Sequence, residues 1–454
     1  MQLVAYGAQD IYLTGNPQIT FFKVVYRRHT NFAVESIEQT FNGTADFGKR
    51  VTATISRNGD LIQQMYLEVV LPKLVDAAFA AENSMVWTYG IGNALVKQAE
   101  IEIGGQLIDR QYGDWMNIWT ELTIPAGKRA GYDSMVGSRT GSVLVNTQYG
   151  GVDAHSAKRL YVPFQFWFNR NPGLALPLIA LQYHEVKLNL ELRSINDLYQ
   201  VNVTAAAPVG DNAPVQGTVS ANAKRSLESC KLYVDYVYLD TDERRRFAQV
   251  SHEYLIEQVQ FTGAETVTVG TNKNVTLNFN HPVKELVWVH TTATNATANA
   301  ALSGTAITAD TTGNYWFNYS GTNAGTAPVD SFTTALLQLN GHDRFSVRFA
   351  DYFRKVQNCE HHCRAPRVGG DLDVADNRSQ YIYTYSFALS PEEHQPSGTC
   401  NFSRIDNAIL QLSYGADSQT GAAALALAMN LNVYAVNYNV LRIMSGMGGL
   451  AYSN

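Results

Sequence analysis

The chain has 454 residues, of which 45% are hydrophobic, 11% aromatic and only 16% charged, and its formal net charge is −6. This composition excludes a disordered chain, which would be charged and poor in aromatics, and a coiled coil, which would be rich in Glu, Lys and Leu. The slight acidic excess argues against direct coating of nucleic acid, because such proteins carry a basic face. The length favours two domains over one.

Signals for targeting and for disulfides are weak. The longest apolar stretches, 173–181 and 421–431, are shorter than the ~20 residues that a membrane-spanning helix needs. The first residues, MQLVAYGAQDIYLTG, lack the basic segment and apolar segment of a secretory signal. The four cysteines form no disulfide framework in so long a chain, and they suit a reducing compartment.

Alternation of apolar and polar residues with a period of two runs through the chain and predicts strands. In 51–71 the alternation continues on both sides of Asn58-Gly59, which predicts two strands joined by a tight turn. Further strands are predicted, in chain order, over 186–192, 231–239, 275–279, 381–389 and 431–441.

Helices are predicted at only two places. The segment 112–122 is one, and 240–251 is the other, with Asp240 as its N-cap. Two stretches break the strand pattern, because 200–226 and 291–334 are rich in Ala, Thr, Gly and Asn. We expect them to be long exposed loops, which usually carry functional surfaces.

The two halves of the chain carry the same features in the same order, roughly 220 residues apart. The matched segments are 51–71 with 275–290, 101–119 with 337–356, 159–168 with 381–389, 186–192 with 408–414, and 231–239 with 431–441. About 8–10 short strands per half favour a sandwich or jelly roll over a propeller. The repeat therefore predicts an N-terminal arm (1–26), a first β-domain (27–240), a linking helix (241–251) and a second β-domain (252–454).

Motifs for catalysis are incomplete. The segment GTADFGK (43–49) has the spacing of a phosphate-binding loop, but Arg50 stands where Ser or Thr is needed and a strand follows it, so a turn is predicted. The His-Glu pairs at 184–185 and 252–253 lack the second histidine of a zinc protease. The sequence therefore predicts neither an enzyme nor a cofactor.

Metal ligands are concentrated only in CEHHC (359–363). Zinc needs four ligands, usually from two segments, so we interpret this run as a turn with free thiols, and a metal site remains the alternative. Asp371, Asp373 and Asp376 lack the glycine and the terminal glutamate of a calcium loop. We interpret the arginine run at 244–246 as a solvated helix face or a source of salt bridges.

Asn-x-Ser/Thr sequons fall within both predicted loops. Asn202, Asn295 and Asn318 are therefore the candidate glycosylation sites.

Three blocks carry a resemblance to a known family. AYGAQDIYLTGNPQITFFKVVYRRHTNF (5–32), SRNGDLI (56–62) and YIYTYSFALSPEEHQPSGTCNFSRIDNAIL (381–410) resemble the major capsid proteins of nucleocytoplasmic large DNA viruses. The resemblance spans both ends and much of the middle, and the long loops depart from it. It implies an all-β double jelly roll, built from two consecutive eight-stranded antiparallel sandwiches. It also implies homotrimeric, pseudo-hexagonal capsomers that tile the outer icosahedral shell of a large double-stranded DNA virus.

By the same resemblance, the N-terminal arm runs along the inner face of the capsomer. The Phe21-Phe22 pair predicts an arm anchored by aromatic burial. Lys23, Arg27 and Arg28 are candidate contacts to minor capsid proteins or an internal membrane, with ordinary salt bridges as the alternative. The expected partners are further copies of the chain and these inner components, without direct nucleic acid, in a virion assembled in the host cytoplasm.

Two other functions remain open from the sequence. Jelly rolls also serve as lectins, and the loops 200–226 and 291–334 would then carry a glycan site. A cupin-like metal enzyme uses the same fold, but it needs His-x-His and a Glu on inward-facing strand positions, and no such triplet is apparent.

Overall fold

The structure is a computed structural model. It describes residues 7–72, 84–138, 152–153, 157–202, 226–267, 272–292, 314, 316–321, 329–366, 380–415 and 428–452.

The first half of the chain contains strands β1 to β13. Strand β4 is central, because it pairs with β13, β9 and β10 in a sheet that β1 extends through β13. A second sheet has the order β2-β3-β11-β6-β7, and a small third sheet has the order β12-β5-β8. The bounds are β1 (Phe32–Gln39), β2 (Phe41–Asn42), β3 (Arg50–Thr54), β4 (Leu61–Leu71), β5 (Ser84–Trp87), β6 (Val96–Ile103), β7 (Gln106–Tyr112), β8 (Val152–Asp153), β9 (Lys158–Pro163), β10 (Leu176–Pro177), β11 (Val186–Leu192), β12 (Tyr199–Asn202) and β13 (Ser229–Leu239).

The second half contains strands β14 to β25. One sheet has the order β14-β24-β17-β21, with β15 and β25 also paired to β24 and β22 to β17. The other has the order β16-β23-β18-β19, with β20 also paired to β18. The bounds are β14 (His252–Phe261), β15 (Glu265–Val267), β16 (Lys273–Thr276), β17 (Pro282–Thr292), β18 (Thr334–Leu339), β19 (His342–Asp343), β20 (Arg348–Phe349), β21 (Tyr383–Ser386), β22 (Cys400–Asn401), β23 (Ala408–Ser413), β24 (Met429–Met444) and β25 (Met447–Leu450).

Helices are short and lie between strands. They are α1 (Asp10–Thr14), α2 (Ile91–Leu95), α3 (Gly113–Thr123), α4 (Ala126–Val136), α5 (Trp167–Arg170), α6 (Thr241–Gln249) and α7 (Gln357–His361), with a π-helical turn at Tyr352–Val356 before α7 and short 3-10 turns at Pro172–Leu174, Ile195–Asp197 and Phe402–Arg404. The two predicted helices correspond to α3 and α6, and the Asp240 side chain accepts a hydrogen bond from Thr241 N at the start of α6. Helix α4 was not expected, because its sequence AGKRAGYDSMV has no continuous apolar face.

The same strand order occurs in both halves. The sheet order β1-β13-β4-β9 corresponds to β14-β24-β17-β21, and β3-β11-β6-β7 corresponds to β16-β23-β18-β19. Each of the five segment pairs matched by sequence falls on strands that are equivalent in this comparison. Two antiparallel sandwiches in tandem, which have these eight strands in common, confirm the predicted double jelly roll, while the boundaries between domains stay a prediction.

The two strands predicted in 51–71 are present as β3 and β4, but the tight turn predicted between them does not join them as a hairpin. Strand β3 pairs with β2 and β11, whereas β4 pairs with β13, β9 and β10, so the two strands lie in different sheets. Residues 55–60 cross between the sheets, with Ile55 N bonded to Val186 O and Asp60 N to Val237 O. Gly59 is needed because a Cβ there would lie 2.7 Å from the Tyr236 side chain.

The core follows from the alternation. In β18 every second residue is buried, and β3 shows the same pattern at Val51 and Ala53. Helix α3 is buried on nearly all sides, and Trp115, Ile118 and Leu122 are among its buried apolar residues. These side chains join one continuous apolar cluster that extends through both halves.

Candidate assembly surfaces

The N-terminal arm lies outside the packed core. From residue 7 to 31 nearly every residue is exposed, and only the short helix α1 is regular. Phe21 is 91% exposed and Phe22 is 100% exposed. The expectation that aromatic burial anchors the arm is therefore not met within one chain, because no apolar surface in the described ranges covers these rings. An exposed run of large apolar side chains is typical of a segment that a partner covers.

The three candidate cations of the arm are also free of ion pairs with any residue that the structure describes. Lys23, Arg27 and Arg28 are exposed and precede β1 in the chain. The three cations share this arm, but the structure does not gather them into a common site with other described residues. The alternative role in ordinary salt bridges therefore has no support within the described part of a single chain.

The junction between the two halves is formed by β7 and β14. Gln258 Nε2 donates to Ile108 O, and Val259 N donates to Asp109 Oδ1 at 3.3 Å. Ile108, Asp109 and Gln258 are all buried. The free edge of β14 is therefore covered by the first half of the same chain.

A buried ionic cluster reinforces this junction. Glu257 Oε2 lies 2.9 Å from Arg170 Nη1, and Glu257 Oε1 lies 2.8 Å from Lys284 Nζ. The Arg170 guanidinium also stacks over the Trp119 ring, 4.0 Å from its centroid. Because Arg170 belongs to the first half and Glu257 to the second, the pair joins the two sandwiches.

Burial and nearby charges shift the pKa values of two carboxylates at this junction, Glu257 and Asp109, in opposite directions. Burial would raise the pKa of Glu257, but contact with His394 and the charges of Lys284 and Arg170 outweigh it and hold that pKa at about 2. Burial raises the pKa of Asp109 to about 7, against the hydrogen bond from Val259 N and the charge of Arg170. Glu257 is thus charged throughout the physiological range, and Asp109 titrates within it.

The CEHHC run (359–363) contains a second buried ion pair. His362 Nε2 lies 3.2 Å from Glu285 Oε2, and its Nδ1 lies 3.1 Å from Glu392 Oε1. Burial would lower the pKa of His362, but the Glu285 and Glu392 carboxylates outweigh it and raise that pKa to about 9. A protonated imidazole between two carboxylates is a salt-bridged clamp that joins the residue after α7 to β17.

The cysteines of this run do not join a metal site within the described part of the chain. Cys359 and Cys363 are free and exposed, and no group of three or more His, Cys, Asp or Glu suitable for a metal is found among the described residues. Asp371, Asp373 and Asp376 lie outside the described residues. In the arginine run, Arg244 forms an ion pair with Asp60 at 3.0 Å, which agrees with its interpretation as a salt-bridge residue.

The candidate glycosylation sites differ in position. Asn202 is the last residue of β12, and Asn295 lies outside the described residues. Asn318 is only 4% exposed, and its Oδ1 accepts a hydrogen bond from Ser320 N. This burial argues against Asn318 as an attachment point, because its amide is closed off in the folded chain.

Sequence reasoning missed the ionic cluster. Glu257, Arg170 and Lys284 come from three separate segments, so no local motif contains them. A signal was present at Lys284-Glu285, a charged pair between the apolar residues of strand β17. Charges within a buried strand require partners, which predicts a buried ion pair without naming the partner.

No helix in the described ranges is long and apolar enough to cross a bilayer. The folded chain presents an exposed arm and exposed strand edges around two packed sandwiches. The fold class is therefore a double jelly roll, made of two antiparallel sandwiches in one chain.

Comparison with known proteins gives the particular family. The model "Major capsid protein N-terminus" matches residues 20–240, and the model "Large eukaryotic DNA virus major capsid protein" matches residues 243–449. The chain belongs to the major capsid proteins of large eukaryotic DNA viruses, as its sequence resemblance indicated.

Relatives agree over almost their whole length. The chain is 51% identical to the major capsid protein of Pyramimonas orientalis virus and covers 99% of it, with 100% of this chain aligned. It is 47% identical to the major capsid protein of Paramecium bursaria Chlorella virus 1, again with 100% of this chain and 99% of the relative covered.

Solved structures show the same fold. The crystal structure of VP54 from PBCV-1 superposes with a TM-score of 0.70 at 40% identity, over 96% of this chain and 100% of that one. The Faustovirus major capsid protein gives a TM-score of 0.67 at 15% identity, over 97% and 94% of the two chains, and shares the fold. The protein is therefore a structural component of a viral capsid.

Proposed function

We propose that this chain forms a homotrimer that acts as a pseudo-hexagonal capsomer in the outer icosahedral shell of a large double-stranded DNA virus. The observation that carries the proposal is the identical strand order of the two sandwiches. Three copies of a chain with two similar units supply six similar units, so a threefold assembly acquires a six-sided outline. Six-sided units can pack side by side over a shell.

Sedimentation of the purified full-length chain at micromolar concentration tests the trimer. We expect a species of three times the 50.1 kDa chain mass, and electron microscopy should show hexagonal, three-lobed particles. A monomer under these conditions contradicts the proposal.

The N-terminal arm is proposed to face the interior of the shell, where it meets minor capsid proteins and an internal membrane. Its exposed aromatic rings and the cations Lys23, Arg27 and Arg28 support this role, because apolar and basic groups together suit an anionic lipid surface. The domain division at the linking helix and the cytoplasmic site of assembly are part of the same proposal.

Vesicles that contain phosphatidylserine test the membrane contact. The full-length chain should co-sediment with them, and a K23E/R27E/R28E variant should bind less. The matched control is R245E/R246E, which changes two arginines of α6 and should bind like the wild type. Equal binding by all three proteins would contradict the assignment of these cations to a membrane.

A structural rather than catalytic role without direct nucleic-acid contact is proposed from family membership and the net charge of −6. Asn202 and Asn295 remain proposed glycan sites, which mass spectrometry of glycopeptides from virions would test. Unmodified peptides at both positions would contradict the proposal.

A further inference from the structure

The junction inside one chain shows how neighbouring sandwiches pack. Strand β7 ends one sheet of the first half, and it covers the free edge of β14, which ends one sheet of the second half. Helix α5, which follows β9, contributes Arg170 to the same edge. At this junction, therefore, the β7 side of the first sandwich meets the β14 side of the second.

Each sandwich also has a surface on its other side, equivalent to β14 in the first half and to β7 in the second. The described residues of the same chain do not cover these two surfaces. Strand β1 is the equivalent of β14, and seven of its eight residues are less than fully buried. The equivalent of β7 is the segment 342–349, made of β19, β20 and the residues between them, which we call the open edge. Every residue of the open edge except Phe345 is exposed, whereas Ile108, Asp109 and Gln111 of β7 are buried.

The registers of β1 and β14 support this equivalence. Ile37 of β1 pairs with Val234, and Val259 of β14 pairs with Val436. Val234 and Val436 each adjoin the irregularity that shifts the pairing with the next strand, β4 or β17. The two edge strands therefore occupy the same place in their sandwiches.

The two uncovered surfaces have complementary chemistry. Phe32 and Val34 on β1 are 61% and 49% exposed, and Val347 and Phe349 on the open edge are 58% and 52% exposed. The exposed charges differ in sign as well, with Glu35 on β1 and Arg344 and Arg348 on the open edge. Glu38 of β1 is paired with Lys231 of its own chain at 3.0 Å, and Asp343 of the open edge accepts a hydrogen bond from Gln338. Apolar anchors with a charged rim of opposite sign are the pattern of a specific protein interface.

We propose that the open edge of one copy packs against β1 of a second copy, in the way that β7 packs against β14 within the chain. The proposal rests on the trimer of the proposed function and identifies the surfaces that form it. The contact is heterologous, since each copy contributes β1 to one neighbour and the open edge to the other. A ring of six sandwiches closes after three copies.

Two single substitutions test the pairing. V34D places a carboxylate in β1, and F349D places one in the open edge. Each substitution should convert the trimer to a monomer at micromolar concentration. Both side chains are about half exposed, so each variant should keep its fold, which circular dichroism checks. M447D is the matched control, because Met447 is 52% exposed in β25 and belongs to neither surface.

Mixing the two variants distinguishes this pairing from any other. The V34D chain keeps an intact open edge, and the F349D chain keeps an intact β1, so the mixture should form a one-to-one heterodimer that neither variant forms alone. Sedimentation or native mass spectrometry measures this.

The outcomes separate the two proposals. A trimeric wild type with trimeric V34D and F349D overturns the edge assignment and leaves the trimer intact. Monomeric variants that form no heterodimer when mixed also overturn the assignment, because the two surfaces would then not be partners. A monomeric wild type overturns the proposed function and the edge assignment together.

Discussion

At the scale of single residues, the interior holds more charge than its apolar sheets suggest. Glu257 forms ion pairs with Arg170 of the other sandwich and with Lys284 of its own, and all three side chains are largely shielded from water. A buried charge is tolerated only with a partner, so each member depends on the others. The relative orientation of the two sandwiches therefore depends on the Glu257 carboxylate.

Replacing that carboxylate should be costly. Glu257→Gln removes the negative charge that Arg170 and Lys284 share. We therefore expect the free energy of unfolding to fall by about 3–5 kcal/mol. The control is Glu253→Gln on the same strand, which removes an exposed pair with Arg442 and should cost less than about 1 kcal/mol. Urea denaturation followed by tryptophan fluorescence compares the two, and equal losses would contradict a special role for Glu257.

Because of His362, the folded chain should become less stable as the pH rises into the alkaline range. Its folded pKa of about 9 lies above the ordinary value of 6.5, so its contribution is complete below pH 6.5 and disappears as the pH rises through 9. Asp109 has a pKa raised from 3.8 to about 7, so its contribution is lost earlier, as the pH rises between those two values.

The comparison of wild type with His362→Gln isolates the histidine from Asp109. The difference in unfolding free energy should be largest below pH 6.5 and should shrink by about 3 kcal/mol by pH 10, because each tenfold difference in proton affinity between the folded and unfolded chain contributes about 1.4 kcal/mol. Glu392→Gln removes one of the two carboxylates and should move the loss to lower pH. A difference that stays constant from pH 6 to 10 would contradict the protonated clamp.

At the scale of elements, a single carboxylate fixes the helix between the sandwiches. Asp60 Oδ2 accepts hydrogen bonds from Leu239 N at 2.9 Å and from Arg244 Nη2 at 3.0 Å. It therefore holds the end of β13 and the first turn of α6 in one position. Phe247 of α6 packs beside Leu61 and Val237 on the outer face of the sheet.

Asp60→Ala should loosen this connection. It leaves the Leu239 N–H without an acceptor, and a lost buried acceptor costs about 1–3 kcal/mol. Arg244→Ala keeps that acceptor and removes only a half-exposed ion pair, so it should cost less than about 1 kcal/mol. Thermal denaturation of both variants checks the order, and an Arg244 loss larger than the Asp60 loss would contradict it.

The elements show where sequence patterns carry information. The period-two alternation places β3, β11 and β13, because each has one face in a core. The same alternation contains nothing about which strand lies alongside which, so Asn58-Gly59 predicts a tight turn at a place where the chain crosses between two sheets. Tertiary contacts decided that point, since Tyr236 occupies the space beside Gly59.

At the scale of the whole molecule, the sequence predicts the repeat but not the ionic cluster at the junction of the two halves. Five matched segments are enough to establish two equivalent sandwiches, because each match preserves strand order. The junction depends on Arg170, Glu257 and Lys284 meeting across segments far apart in the chain, which periodicity does not encode. The exposure of Phe21 and Phe22 likewise depends on what faces them in three dimensions, and within the described ranges nothing does.

The linker α6 has a further consequence for the kinetics of ring formation. Because it tethers two sandwiches, the contact between β7 and β14 forms at an effective concentration that dilution cannot change. Half of the contacts in a proposed six-membered ring are then in place as soon as each polypeptide folds. Closure of the proposed ring would then require the meeting of three bodies instead of six, so the yield of closed rings would fall far less steeply as the protein is diluted.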